Sequence, residues 1–143
     1  MGYCISQRAA LFNIPAANKA PALERVKRMP EDTSRASGSC LMGGSVISKH
    51  FAFVNAEHLA AAQTLEEAFA AWRWEADGDK AGNIDNINFS GDRSGDDELM
   101  FGAIAEFVES GSYIEMQGED GAIWRWCFDD GKFSEKGATI TWE

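Results

Sequence analysis

Asp77-Gly78-Asp79-Lys80-Ala81-Gly82-Asn83-Ile84-Asp85-Asn86-Ile87-Asn88 sets oxygen-bearing side chains at the spacing of a calcium loop of the EF-hand kind. Asp77, Asp79 and Asp85 stand at the first, third and ninth positions, and Gly82 stands at the sixth, where the loop turns sharply. Ala81 occupies a ligand position, and Asn88 replaces the bidentate Glu expected at the twelfth. The residues beyond the loop read as strand and turn, where an EF-hand continues as helix. A hairpin loop uses Asp, Gly and Asn for its own backbone reasons and explains the same residues. Asp77, Asp79 and Asp85 are therefore the chain's calcium candidates, and no other metal or cofactor is expected.

Nucleophilic and acid–base chemistry is weakly marked. The two histidines, His50 and His58, are eight residues apart, too far for one helical turn. Three cysteines, Cys4, Cys40 and Cys127, are odd in number and form no C-x-x-C pair, which suggests neither a disulfide framework nor a zinc ribbon. Cys4 and Cys127 fall in strands and Cys40 in a loop, where its thiol pKa would be ordinary. Asp92, Asp96, Asp97 and Glu98 cluster where a helix should start, a placement explained by capping and the helix dipole. Glu119 and Asp120 sit in a turn, the opposite of the buried setting that lifts a catalytic carboxyl. The reading leans away from an enzyme.

Trp-Arg-Trp occurs twice, at 72–74 and at 124–126. On a strand its indoles share one face and the guanidinium takes the other. Such a unit serves base stacking or a protein hot spot, or simply packs its indoles into a core with the arginine solvated.

These residues need elements to hold them. Alternation through Tyr113-Ile114-Glu115-Met116, Trp124-Arg125-Trp126-Cys127-Phe128 and Thr139-Ile140-Thr141-Trp142, with Asp130-Gly131 as the sharpest turn signal, predicts a three-strand antiparallel meander. Ile114, Met116, Trp124, Trp126, Phe128, Ile140 and Trp142 would face a helix. Tyr113, Glu115, Arg125 and Cys127 would face the other way, with Glu115 paired to Arg125 across strands. That second face is either covered by the N-terminal strand and helix or open to a partner.

Upstream, Gly2 to Phe12 reads as a first strand, and Pro21 as the start of a short helix to Met29, with Leu23, Val26 and Met29 inward and a solvated basic face. Residues 30–45 have the Pro, Gly, Ser and charge content of a flexible loop, and lack the Gly-Lys-[Ser/Thr] of a phosphate-binding loop. Val46 to Val54 is a strand with Phe51 and Phe53 on one face. A kinked helix or two short ones come next, from about Ala56 to Trp72, with Thr64 and Glu67 at capping-box spacing. A hairpin runs to Phe89, and a helix from about Gly95 to Glu109 is capped by Ser94. One α+β domain spanning 1–143 is the expected architecture, with helices packed on a mostly antiparallel sheet.

At 143 residues the chain suffices for one core, which at this length buries roughly 68–70% of the unfolded surface. Its net charge of −10 is uneven: residues 1–50 carry seven Lys/Arg and three Asp/Glu, and the remainder six and twenty. An acidic body repels phosphates, so direct nucleic-acid binding is not expected and a protein partner with a basic surface is. The acidity serves solubility equally well. No apolar run approaches the roughly 18 residues of a membrane span, and no secretory signal is present, so a cytoplasmic protein without membrane contact is expected. Met1-Gly2-Tyr3-Cys4-Ile5-Ser6 formally fits the myristoylation pattern, but a first strand accounts for it.

The opening Met1-Gly2-Tyr3, then Phe89-Ser90-Gly91, Leu99-Met100-Phe101, Gly111-Ser112-Tyr113-Ile114-Glu115, Gly118-Glu119-Asp120-Gly121 and Trp124-Arg125-Trp126, with Phe128, Gly131 and Lys132, resemble a loose group of small bacterial and phage-associated proteins. The resemblance covers roughly residues 60–143 and the first strand. It implies a compact α+β domain and carries no activity or functional residues with it. In such settings small acidic proteins often serve as inhibitors or immunity-type partners. The expected function is a non-catalytic protein-binding module with contacts from Tyr113, Glu115, Arg125, Asp92, Asp96, Glu119 and Asp120. The alternatives are a small enzyme or ligand-binding domain with a pocket between sheet and helix, lined by His58, Glu115 and Arg125, and a calcium-binding protein.

Overall fold

The structure, a computed structural model, describes residues 3–29 and 54–137, together with the backbone of 38–42 and 45–50. Strands β1 (Ile5–Leu11), β6 (Ser112–Gly118), β7 (Ile123–Asp129) and β8 (Lys132–Gly137) form one antiparallel sheet in the order β1-β6-β7-β8. Two hairpins complete the strands: β2 (Gly38–Met42) with β3 (Ser45–His50), and β4 (Trp74–Gly78) with β5 (Ile84–Phe89). The helices are α1 (Ala16–Arg28), α2 (Ala56–Ala61), α3 (Leu65–Ala71) and α4 (Asp97–Ile104), the last followed by a 3-10 turn, Ala105–Phe107. The architecture is α+β, with the C-terminal meander supplying three of the four strands of the main sheet.

Register sorts the meander's side chains by face. Ile114 pairs with Trp126 and Met116 with Trp124, while Tyr113 pairs with Cys127 and Glu115 with Arg125. Ile114, Met116, Trp126 and Phe128 are buried on the inner face. There Phe12, Phe69, Trp74, Phe101, Trp126 and Phe128 interlock, with Trp74 edge-on to Phe101 at 5.0 Å and Phe12 edge-on to Phe128 at 5.6 Å between centroids. Such pairs are worth about 0.5–1.5 kcal/mol each beyond the area they bury. Asp130 and Gly131 both take positive φ (53° and 75°), the primed turn that matches the twist of β7 and β8.

The third strand lies earlier than expected. It is Lys132–Gly137, immediately after the Asp130-Gly131 turn. The two-residue turn sets the pairing at once, so no spacer remains before the strand. Thr139, Ile140, Thr141 and Trp142 lie outside the described residues, as do Phe51, Phe53 and the side chains of Cys40 and His50. Part of the expected 30–45 loop, Gly38–Met42, is strand, paired antiparallel with Ser45–His50.

Helix α1 begins at Ala16 and carries Pro21 inside it. The missing amide removes one ladder bond, to Ala17, and the Pro21 ring is exposed, where it clashes with nothing in the core. Ala22 and Val26 are buried, with Leu23 and Met29 packed against the core. The basic face is tied down: Lys27 Nζ donates to the Ala62 carbonyl at 2.7 Å, and Arg25 donates to the Ala103 carbonyl at 3.0 Å while pairing with Glu106 at 2.7 Å. The two short helices α2 and α3 start on caps from Asn55, to the His58 amide, and Thr64, to the Glu67 amide. Glu67 accepts from the Gln63 amide at 2.9 Å, one residue beyond the Thr64 amide that a reciprocal box would use.

Strand β1 joins the sheet at its edge and does not cover its face. A bulge between Gln7 and Ala9 gives Arg8 no partner in the register. The Gln7 amide group continues the ladder sideways, donating to the Ile87 carbonyl at 2.9 Å and accepting from the Phe89 amide at 2.8 Å, so the β4–β5 hairpin docks along β1.

Candidate functional site

Leu11, Tyr113 and Cys127 form one cross-strand row on the outer face of the sheet, and Ala9, Glu115, Arg125 and Lys136 form the next. Glu115 is the hinge of this surface. One of its oxygens accepts from Arg125 Nε at 2.8 Å and the other faces Arg8 Nε at 3.4 Å. The Arg125 guanidinium lies over the Tyr113 ring, 4.3 Å from its centroid. Arg8 reaches the carboxylate because the bulge leaves it beside Ala9, with the two residues together opposite Glu115. Glu115 is 17% exposed, whereas Arg8 and Arg125 are 42% and 50% exposed and Leu11 is 52% exposed. Two arginines are thus held in fixed positions with their free N–H groups turned to solvent, beside an aromatic ring and an exposed leucine.

Tyr113, Glu115 and Arg125 come together as the alternation of the meander requires. The acidic turn residues separate from them. Asp92, Glu119 and Asp120 gather round the start of β1: the Ile5 amide donates to the Asp92 carbonyl at 3.0 Å, the Cys4 amide to Glu119 Oε1 at 3.1 Å, and the Tyr3 hydroxyl to Asp120. The Tyr3 and Ala122 bonds hold the Asp120 carboxyl below its ordinary pKa, while Asp120 raises the Tyr3 phenol. Asp92 is open, its side chain 84% exposed. Asp96 is buried, so it offers no outward contact.

The helix-start cluster departs further from the exposed caps that composition suggested. Ser94 does not cap α4, and Asp97 is buried at 2% exposure. Its carboxylate accepts from the Trp74 indole at 2.9 Å and the Gly95 amide at 3.2 Å, and pairs with Arg73 at 3.2 Å. Burial lifts its pKa, against the Trp74 bond, the Arg73 charge and the Gly95 bond, which lower it. The first Trp-Arg-Trp is therefore no strand unit with a solvated arginine. Trp72 ends α3, Arg73 takes a positive φ of 73° to turn the chain, and both indoles are buried. Arg73 points inward to Asp97, the Arg93 carbonyl at 2.7 Å and the Phe89 ring.

The calcium candidates sit on the β4–β5 hairpin, and the loop uses their oxygens itself. Asp79 Oδ1 accepts from the Ala81 amide at 2.9 Å and the Asn83 amide at 3.0 Å, and Oδ2 accepts from the Asn83 side chain at 3.1 Å. Those bonds hold the Asp79 carboxyl below its ordinary pKa. Asp77 meets Asn86 across the strands at 3.4 Å, and Asp85 faces solvent. Among the described residues, no three His, Cys, Asp or Glu side chains gather as a metal site would need.

His58 is exposed on α2, which packs on α3 on the inner side, so it shares no lining with Glu115 and Arg125. Cys127 is buried and Cys4 half-buried. No described helix is long and apolar enough to cross a membrane. Arg8 and Leu11 were missed from the sequence; the β1 alternation signalled an outward row, but the bulge that aims Arg8 left no trace. No family model, curated protein or solved structure matches the chain.

Proposed function

We propose that the chain is a non-catalytic protein-binding module, of the inhibitor or immunity type, that docks through the outer face of its four-stranded sheet. The observation that carries this reading is the Arg8–Glu115–Arg125 bridge over Tyr113, half-exposed and already ordered. Arginine and tyrosine are the side chains that most often anchor protein interfaces, and a preset arginine loses less entropy when a partner arrives. The partner's chemistry is set by local charge. Arg8, Arg125, Lys132 and Lys136 outnumber Glu115 and Asp129 on the face, so an acidic patch fits it, while basic groups at its border meet Asp92, Glu119 and Asp120. Only that border keeps the basic partner surface expected from the net charge of −10.

The test is capture of a partner by the tagged full chain at low and at high salt, comparing Arg125→Glu with Lys80→Glu. The second variant makes the same charge change on the exposed β4–β5 loop. Wild type and Lys80→Glu should retain the same stoichiometric partner at low salt and lose it at high salt, and Arg125→Glu should lose it throughout. Equal retention by both variants, or an empty bait at low salt, sinks the reading.

A further inference from the structure

The four-stranded sheet ends differently at its two edges. At one, the β4–β5 hairpin docks along β1 through the Gln7 side chain. At the other, β8 pairs with β7 and with no further strand among the described residues. The register decides which backbone groups are left over there. Phe128 sits opposite Phe133, and its carbonyl accepts from the Gly111 amide on the β6 side, so Phe128 turns its hydrogen-bonding groups away from β8. Antiparallel partners alternate between pairs that exchange hydrogen bonds and pairs that do not. Phe133 and Glu135 therefore belong to the second kind, and both turn N–H and C=O outward, where no described backbone group meets them.

The side chains flanking this edge differ by face. Lys132, Ser134 and Lys136 alternate on the outer face, opposite Asp129, Cys127 and Arg125, and all three are exposed. On the inner side Phe133 is half-buried and lines a groove of about 790 Å³ with Met29 and Leu99. Gly102 leaves the surface of α4 bare at that point: a Cβ on it would stand 3.9 Å from the Phe133 ring. A strand laid along β8 at the usual spacing of about 4.8 Å would put one row of its side chains beside the two lysines and the other beside Phe133.

We propose that the acidic partner adds a strand to β8: an extended segment with carboxylates four residues apart, facing Lys132 and Lys136, and apolar side chains between them on the other face, beside Phe133. The inference rests on the docking reading for the partner's charge and adds its conformation. Lys136 stands directly opposite Arg125, a like-charge pair that an acidic neighbour relieves. A second copy of this chain is a poor occupant. Antiparallel pairing of β8 with itself sets Lys132 against Lys136 when centred on Ser134, and Glu135 against its own copy when centred there. Backbone bonds to Phe133 and Glu135 supply affinity for any extended segment, and the lysines and the apolar groove select among them.

The probe is the end-blocked peptide Thr-Glu-Val-Thr-Val-Glu-Val-Thr, titrated calorimetrically into the full chain at low ionic strength. It should bind saturably at one site, and the same peptide with Lys in place of both Glu should bind at least about tenfold more weakly. Lys136→Glu, a change at an exposed position, should weaken binding at least about threefold. Methylated amides read out the strand itself, because only alternate residues of an added strand turn their N–H groups to β8. N-methylation of one alternate set should abolish binding, and of the other set should leave it within about twofold. Absence of saturable binding, equal binding of the Lys peptide, an unchanged affinity in Lys136→Glu, or equal effects of the two methylated sets overturns strand addition. The two readings fail separately: a partner captured by the wild type and lost by Arg125→Glu, with no peptide binding, keeps the docking face and removes the strand.

Discussion

A carboxylate as enclosed as Asp97 persists only because three donors converge on it: the Trp74 indole, the Gly95 amide and the Arg73 guanidinium. Arg73 in turn holds a left-handed backbone at φ 73°, which for a side chain with a Cβ costs about 1–2 kcal/mol. Its bonds to Asp97 and the Arg93 carbonyl offset that cost. Asp97→Ala would leave Arg73 and Trp74 facing an apolar gap, and should lower the unfolding free energy by about 3–5 kcal/mol in urea denaturation. The pH dependence has a definite sign. Burial lifts the folded-state pKa of Asp97 above its unfolded value, so the folded chain holds the proton more tightly. The resulting penalty is absent below the unfolded value and complete above the folded one. Compared with Asp97→Asn, which does not titrate there, the wild type should gain stability as pH falls through that window. A difference flat with pH would mean that Arg73 already balances the charge. None of this was visible in the run Asp92, Asp96, Asp97, Glu98, because one-dimensional spacing does not show which carboxylate of a helix start turns inward.

Elements whose signal is local were the legible ones. Asp130-Gly131 demands positive φ and makes a hairpin wherever it occurs between strands; Thr64 and Glu67 cap a helix within one turn; the alternation from Tyr113 to Phe128 fixes two faces. Elements decided by distant contacts were not. Pro21 marks a helix start by propensity, yet α1 begins five residues earlier because Asn18 bonds the Phe107 carbonyl and Ala22 and Val26 reach the core. Propensity then makes its own prediction. Pro21→Ala restores an amide for the Ala17 carbonyl at an exposed position, so it should stabilise the chain by on the order of 1 kcal/mol, read as a higher Tm. An unchanged or lower Tm would mean that the ring packs usefully. At the other edge of the fold, β1 is clamped where Gly118 lies against Tyr3: a Cβ at Gly118 would overlap the Tyr3 hydroxyl and ring. Gly118→Ala should therefore swing Tyr3 away from Asp120 at a cost of about 1 kcal/mol, the value of one hydrogen bond. In a Tyr3→Ala background the same change should be nearly neutral. Additive losses would place the strain in the backbone of β6 instead.

Across the whole molecule, charge is sorted in space as well as along the chain. The net −10 was legible from composition, but its distribution was not: Arg8 and Lys136 come to the same face as Arg125 only through strand pairing, and Asp96 and Asp97 leave the surface altogether. Among the described residues, Asp77, Asp79, Asp85, Asp92, Glu119, Asp120 and Asp130 face solvent on hairpins and turns, where like charges repel one another at a distance. Such repulsion weakens a compact state and is relieved by screening. The ion pairs work in the opposite direction, since salt weakens them, but Arg28–Glu24, Arg25–Glu106 and Arg125–Glu115 are exposed pairs of small individual worth. The long-range term should win. Raising NaCl from about 10 to about 150 mM shortens the Debye length from roughly 30 to roughly 8 Å, less than the breadth of the domain. Stability should rise by about 1 kcal/mol, a few degrees in Tm for a chain of this size. A Tm that falls over that range would show the bridges of the sheet face, Arg8–Glu115–Arg125 among them, contributing more to the fold than its self-repulsion costs.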